Sequence, residues 1–412
     1  MNGIVEDRAI RNRRAIEALR AGVPSRDAVA ATGSGQSAIE DRFAQLREKA
    51  AAGKPGGLLI GGGFGAGKSH LLEHLSRLAL DAGFAVSRVV ISKETPLYDP
   101  AKVFAAAVES AVVAGRPRPA LVEAAAALDP ESREYAELLR WASSTGSGLN
   151  ERFAATLSLH AQLRERDAAF AGAIVRFWSG DPINTPELRR RLKELGDQRP
   201  VLPPVAVKDL AVQRIRFAAR LLAAAGSVGW VILFDEVELI GRYSLQQRAR
   251  SYAEIARWMH GEHGGPGAPI AAVLAMTDDF EAAVITGRRD REVVPEKLNA
   301  KGTPEAAAIA AGAQRGMRLI DREMRLITPP DGAELDEAYA RLKELHGEVF
   351  GWQPPDVEGL ERLGATRMRQ YVRAWINEWD LVRLDPEYRP ETEVAGIDSD
   401  YREDLDLEKS ET

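Results

Sequence analysis

Residues Gly62, Gly63, Phe64, Gly65, Ala66, Gly67, Lys68 and Ser69 fit the pattern G-x-x-x-x-G-K-[ST] at every constrained position. Glycines let such a loop curl until successive backbone N–H groups point inward at phosphate oxygens. A helix starting near Lys68 would add its positive N-terminal end. Lys68 would then reach the β- and γ-phosphates, and the Ser69 hydroxyl would ligate Mg²⁺. His70 follows directly and shares the loop's mouth. These residue types at this spacing ask for ATP and its metal ion.

A second constellation lies further along. The apolar run from Val231 to Phe234 ends in Asp235 and Glu236, with Glu238 two residues on. Acids at the carboxyl end of a buried strand stand where ligands bind in open parallel sheets. Asp235 is placed to hold Mg²⁺ through water, and Glu236 to polarise the water that attacks the γ-phosphate. Another apolar run, from Ile270 to Met276, ends in Thr277 and Asp278. Thr277 is the first candidate, and Asp278 the second, for a polar group reading the γ-phosphate and the lytic water.

These groups need a frame. Residues 58–60 read as a short strand before the loop, and Leu71, Leu72, Leu75, Leu78 and Leu80 as a helix after it. Residues 84–92 read as a second strand, so strand, helix and strand make a parallel βαβ unit. Lys68 and Asp235 lie 167 residues apart (235 − 68), with that second strand between them in sequence. This order, with Glu after Asp, suits ATPases in which an extra strand separates the phosphate-loop strand from the carboxylate strand. Simple nucleotide kinases usually lack the glutamate. A last strand is expected within 324–327.

The expected organisation has five parts. Residues 1–50 form an N-terminal helical segment whose first helix turns Ile10, Ile16 and Leu19 inward. Residues 51–114 and 205–330 form the ATPase core. Residues 115–204, rich in Ala and Arg, form a helical insertion with Trp141 and Trp178 as anchors. Residues 331–390 form a C-terminal helical lid anchored by Phe350, Trp352, Trp375 and Trp379, and 391–412 an acidic, loosely ordered tail.

The 412 residues carry 55 basic and 61 acidic side chains, a net charge of −6, which disfavours a globally basic nucleic-acid binder but leaves local patches open. The absence of cysteine excludes disulfides, Cys-based zinc sites and thiol nucleophiles. No run approaches the ~20 apolar residues of a membrane span, and the N-terminus has no apolar signal core, so a cytoplasmic protein without membrane contact is expected. Arg8, Arg11, Arg13, Arg14 and Arg20 crowd the first helix, and Arg288, Arg289 and Arg291 a loop. Such clusters suit a contact with DNA or with a partner, or a solvated surface balanced by nearby acids. Arg367 or Arg369 could fold over the nucleotide from the lid. Among Arg315, Arg318, Arg322 and Arg325, Arg318 is taken as the finger that reaches a neighbouring subunit's ATP in a homo-oligomer. His70 and His74, four apart on one helix, lack the company a zinc pair needs.

Taken together, these Walker A and Walker B motifs resemble those of AAA+ ATPases, most closely the origin-recognition-like branch. Residues 61–70 (GGGFGAGKSH), 86–100 (VSRVVISKETPLYDP) and 15–24 (AIEALRAGVP) resemble the ATP-binding D component of bacterial BREX-type phage-defence systems. The resemblance covers most of 8–279. It implies an α/β P-loop fold, a parallel sheet flanked by helices, ATP hydrolysis, and work beside a helicase and other defence proteins on DNA. An ATP-gated scaffold that hydrolyses little is the alternative, and a small-molecule phosphotransferase the third reading.

Overall fold

A computed structural model describes residues 2–23, 25–196, 202–357 and 368–388. In chain order the helices are α1 (Asn2–Ala21), α2 (Arg26–Thr32) and α3 (Ser37–Ala51). Strand β1 (Gly56–Gly61), α4 (Lys68–Asp81), β2 (Ala85–Val90) and α5 (Pro100–Glu109) follow. Five helices come next: α6 (Ala120–Ala127), α7 (Arg133–Ala142), α8 (Arg152–Leu163), α9 (Ala168–Ser179) and α10 (Thr185–Glu194). Then come α11 (Val207–Ala224), β3 (Trp230–Asp235), α12 (Leu245–Met259) and β4 (Ile270–Met276). The described chain closes with α13 (Asp290–Asn299), α14 (Pro304–Glu323), β5 (Arg325–Leu326), α15 (Gly332–Phe350) and α16 (Met368–Leu384).

All paired strands of the sheet run parallel, in the order β2-β3-β4-β1-β5. Strand β3 (WVILFD) is buried at every position because it lies between β2 and β4, and both its faces are covered by helices. The strand separating β1 from β3 in space is β4. The 84–92 strand, which separates Lys68 from Asp235 in sequence, lies instead on the outer side of β3.

Alternation sorts the side chains into two layers. Val231 and Leu233 pack with Leu71, Leu72 and Leu75 of α4 on one face. Ile232 and Phe234 join Phe104, Phe217 and Trp258 on the other. Helices α6–α10 extend this second layer, with Trp178 fully buried and its indole N–H donating to Thr156 Oγ1 at 3.0 Å. Val86 also makes an isolated antiparallel bridge with Val112.

A third cluster joins the two ends of the chain. Ile16 and Leu19 of α1 pack against Leu342 of α15 and Tyr371, Trp375 and Trp379 of α16. Asp380 accepts from Arg20 at 2.6 Å and pairs with His346 at 3.2 Å, tying the same helices together. Ile10, expected on the buried side of α1, is 48% exposed: it lies two and a half turns before Leu19, and so on the opposite side of the helix. The 391–412 tail and residue 367 lie outside the described residues.

Candidate nucleotide site

The loop between β1 and α4 is built on two left-handed residues, Gly65 (φ +79°) and Gly67 (φ +99°), a conformation L side chains adopt only under strain. Gly67 is also the N-cap of α4 and makes no side-chain cap. By contrast, α2, α5, α9, α10 and α15 are each capped by a Ser, Asp or Asn side chain. The first turn of α4 therefore has N–H groups that no N-cap side chain satisfies.

Lys68 is buried. Its Nζ donates to Gly62 O at 2.8 Å and Gly63 O at 3.3 Å, and lies 3.8 Å from Glu238 Oε1. The loop is tied to the next strand as well, since Gly62 N donates to Met276 O at 3.2 Å. That bond brings the tip of β4, and with it the buried Thr277, against the phosphate loop. Asp278 is exposed and Phe64 projects into solvent.

Asp235 is the last residue of β3 and shares the parity of Val231 and Leu233, so it faces α4. Its Oδ1 accepts from Glu236 N at 3.0 Å, and its Oδ2 from Arg88 Nη2 at 2.7 Å. Glu236 has φ +58° and ψ +33°, a left-handed turn in a non-glycine residue directly after the strand. Backbone strain of this kind collects at working sites. Burial, reinforced by the neighbouring Asp235 charge, pushes the Glu236 carboxyl above its ordinary range, against the opposing pull of Lys68 and Arg88. Burial raises Glu238 in the same way, and among the described residues its buried Oε2 has no hydrogen-bond partner.

The donor set fits Mg²⁺. Ser69 in the first turn of α4 and Asp235 at the end of β3 offer hard oxygen donors, and Glu238 adds a buried oxygen without a hydrogen-bond partner among the described residues. Among the described residues no three His, Cys, Asp or Glu side chains form a cage of their own. Mg²⁺ typically takes one or two carboxylates and completes its shell with phosphate and water.

A pocket of about 340 Å³ opens beside the loop. Gly67, His70 and Leu71 form its floor, Gly33 and Gln36 one wall, and Ile327, Arg341 and Arg369 the opposite side. Gln36 closes one end by pairing with Thr328 through both its amide oxygen and nitrogen, each at 3.0 Å to the backbone. His70 Nε2 lies 2.8 Å from Gly33 O, and burial lowers its pKa, with Arg369 adding to that shift.

The sequence-derived residues fall into three groups. Gly62 to His70, Asp235, Glu236 and Thr277 come together at the carboxyl edge of the sheet. Arg367 lies outside the described residues, whereas Arg369, its alternative, lines the pocket. Arg318 is exposed on α14 together with Arg315 and Arg322, and among the described residues these three have no ion pair or hydrogen bond. The N-terminal cluster is partly consumed within the chain: Arg8 pairs with Glu348, Arg20 with Asp380, and Arg13 stacks on Phe350.

Sequence reading missed Arg88. The signal was present, since Arg88 is a charge amid the apolar residues of a mostly buried strand, and such a charge needs a partner.

Residues 8–125 match the family described as BREX system ATP-binding protein BrxC/D. The resemblance seen in the sequence holds at that level, and the match does not distinguish the C from the D component. No curated protein and no solved structure matches the chain. No helix among the described residues is long and apolar enough to cross a membrane.

Proposed function

We propose that this chain is an AAA+-like ATPase of a bacterial BREX-type anti-phage system, coupling its nucleotide state to assembly of a defence complex or to DNA remodelling. One observation carries the reading. Lys68 and the acids Asp235, Glu236 and Glu238 meet at the carboxyl edge of a parallel sheet in which β4, with Thr277 directly after it, separates β1 from β3.

In this reading the loop amides and Lys68 hold the β- and γ-phosphates, and Ser69 and Asp235 hold Mg²⁺. Bound there, the metal neutralises charge on the phosphates. Glu236 orients and deprotonates the attacking water, for which a carboxyl with a raised pKa is suited. Thr277 contacts the γ-phosphate side. The pocket between Gln36 and Arg369 takes the adenosine, so α15 and α16 act as a lid and Arg369 as its arginine. Arg318, exposed on α14, is placed for a neighbouring copy's ATP in a homo-oligomer. With Arg315 and Arg322 it also makes the arginine surface most open to DNA. A helicase is the partner class that the resemblance suggests.

Steady-state phosphate release by the wild type beside Glu236→Gln tests the enzyme reading. The variant is expected to bind ATP normally and lose turnover by on the order of 10²-fold or more. Equal inertness of both proteins, with ATP still bound, would replace hydrolysis by the scaffold reading.

A further inference from the structure

We infer that Arg88 is a positioning residue for the metal-side carboxylate, an inference that rests on the assignment of Asp235 to Mg²⁺. Arg88 lies on β2, opposite Leu233 in the register, and two residues before Val90, which pairs with Asp235. It shares the parity of Val86, which packs on the α4 side of the sheet. From there Nη2 donates to Asp235 Oδ2 at 2.7 Å, and Nη1 donates to Glu73 Oε2 at 3.4 Å.

Glu73 stands four residues after Ser69 on α4, and so on the same helix face, one turn further from the loop. The guanidinium therefore sits beneath the site that Ser69 and Asp235 would share, spanning the strand that carries one ligand and the helix that carries the other. Glu73 in turn lies 3.8 Å from Arg26 at the start of α2.

Among the described residues two restraints hold the Asp235 carboxylate: the Glu236 backbone N–H at Oδ1, and Arg88 at Oδ2. The amide belongs to Glu236, just past the end of β3, where the backbone turns left-handed. Arg88 is the restraint that comes from a neighbouring strand, and it fixes the plane of the carboxylate relative to α4. A planar guanidinium does this better than an ammonium, because its paired N–H groups set direction as well as charge. Groups behind a metal ligand commonly carry a tenfold to hundredfold share of metal affinity through such orientation. Glu73 offsets the guanidinium's charge, so that the orientation is not gained at the cost of repelling the metal.

The test is Mn²⁺ binding to the full chain saturated with a non-hydrolysable ATP analogue, followed by electron paramagnetic resonance. Arg88→Gln is expected to weaken Mn²⁺ by about tenfold or more. Arg88→Lys should fall between that variant and the wild type. Metal-free affinity for the analogue should stay within about twofold in both variants, which separates lost orientation from a disturbed fold. Should Arg88→Gln fail to fold, the lysine variant decides: wild-type Mn²⁺ affinity in it overturns the inference. Unchanged or tighter Mn²⁺ binding in Arg88→Gln overturns it equally, making the arginine a competitor of the metal. Asp235→Asn keeps the two claims apart. If it leaves Mn²⁺ affinity intact, the metal assignment itself fails. If it weakens Mn²⁺ while Arg88→Gln does not, only the role of Arg88 fails.

Discussion

Replacing Gly67 by Ala separates what the phosphate loop does for folding from what it does for a ligand. Gly67 has φ +99°, where an L residue pays roughly 1–2 kcal/mol of local strain. A Cβ built there meets no atom within 4 Å, so no packing penalty adds to the strain. At about 2.1 cal/mol/K per residue, unfolding a chain this long carries an entropy near 0.9 kcal/mol/K, so the expected fall in Tm is only about 1–2 °C. The ligand should feel far more. The methyl group would stand at the uncapped start of α4, where a phosphate oxygen is expected to accept a charge-assisted hydrogen bond. Losing one such bond costs about 1.5–3 kcal/mol, or a ten- to hundredfold weaker Kd for ATP. Differential scanning fluorimetry and titration calorimetry on the same preparation read both quantities. A variant that binds ATP as tightly as the wild type would refute the reasoning, because open space at that position would then not be phosphate space.

The acid side of the kcat profile should be set by Glu236. Burial and the Asp235 charge raise its pKa from the ordinary 4.5, and a base works only when ionised. Turnover should therefore fall as pH drops through a value above 4.5, and a limb at or below that value contradicts the assignment. Elsewhere, Arg248 grips Asp290 through two buried bonds of 2.9 and 3.0 Å, and Tyr252 adds a third at 2.8 Å. Asp290→Ala removes the carboxylate that balances a buried guanidinium and should cost about 3–5 kcal/mol, measured as a lower midpoint in denaturant; a midpoint equal to the wild type's would count against this pair. If Arg315, Arg318 and Arg322 contact DNA, affinity should fall steeply between low and physiological salt, and a salt-insensitive interaction would return them to a solvated surface.

The chemistry-bearing segments were legible because each follows a local rule. The glycine pattern fixes a backbone shape, and β3 and β4 are short apolar runs closed by polar residues, with β4 observed at the expected 270–276. Spatial order was not local. Nothing in the residues between 84 and 92 says that their strand lies outside β3, or that β4 slips between β1 and β3. The same limit applies to the arginines. Arg8, Arg13 and Arg20 look like a basic patch along a helix, and only the docking of α1 on α15 and α16 gives them Glu348, Phe350 and Asp380. Ile10 shows the converse, an apolar residue left exposed on the side of α1 that faces away from Leu19 and its partners. The pocket draws its walls from Gly33 and Gln36, from Gly67 and His70, and from Ile327 and Arg369, a convergence that periodicity cannot encode.

Titration of ATP into the Lys68→Ala variant tests the central claim most directly. With the ammonium that sits 2.8 Å from Gly62 O removed, measurable affinity should disappear while the fold persists. Undiminished ATP binding in a folded Lys68→Ala protein would contradict the account and move the nucleotide elsewhere on the molecule.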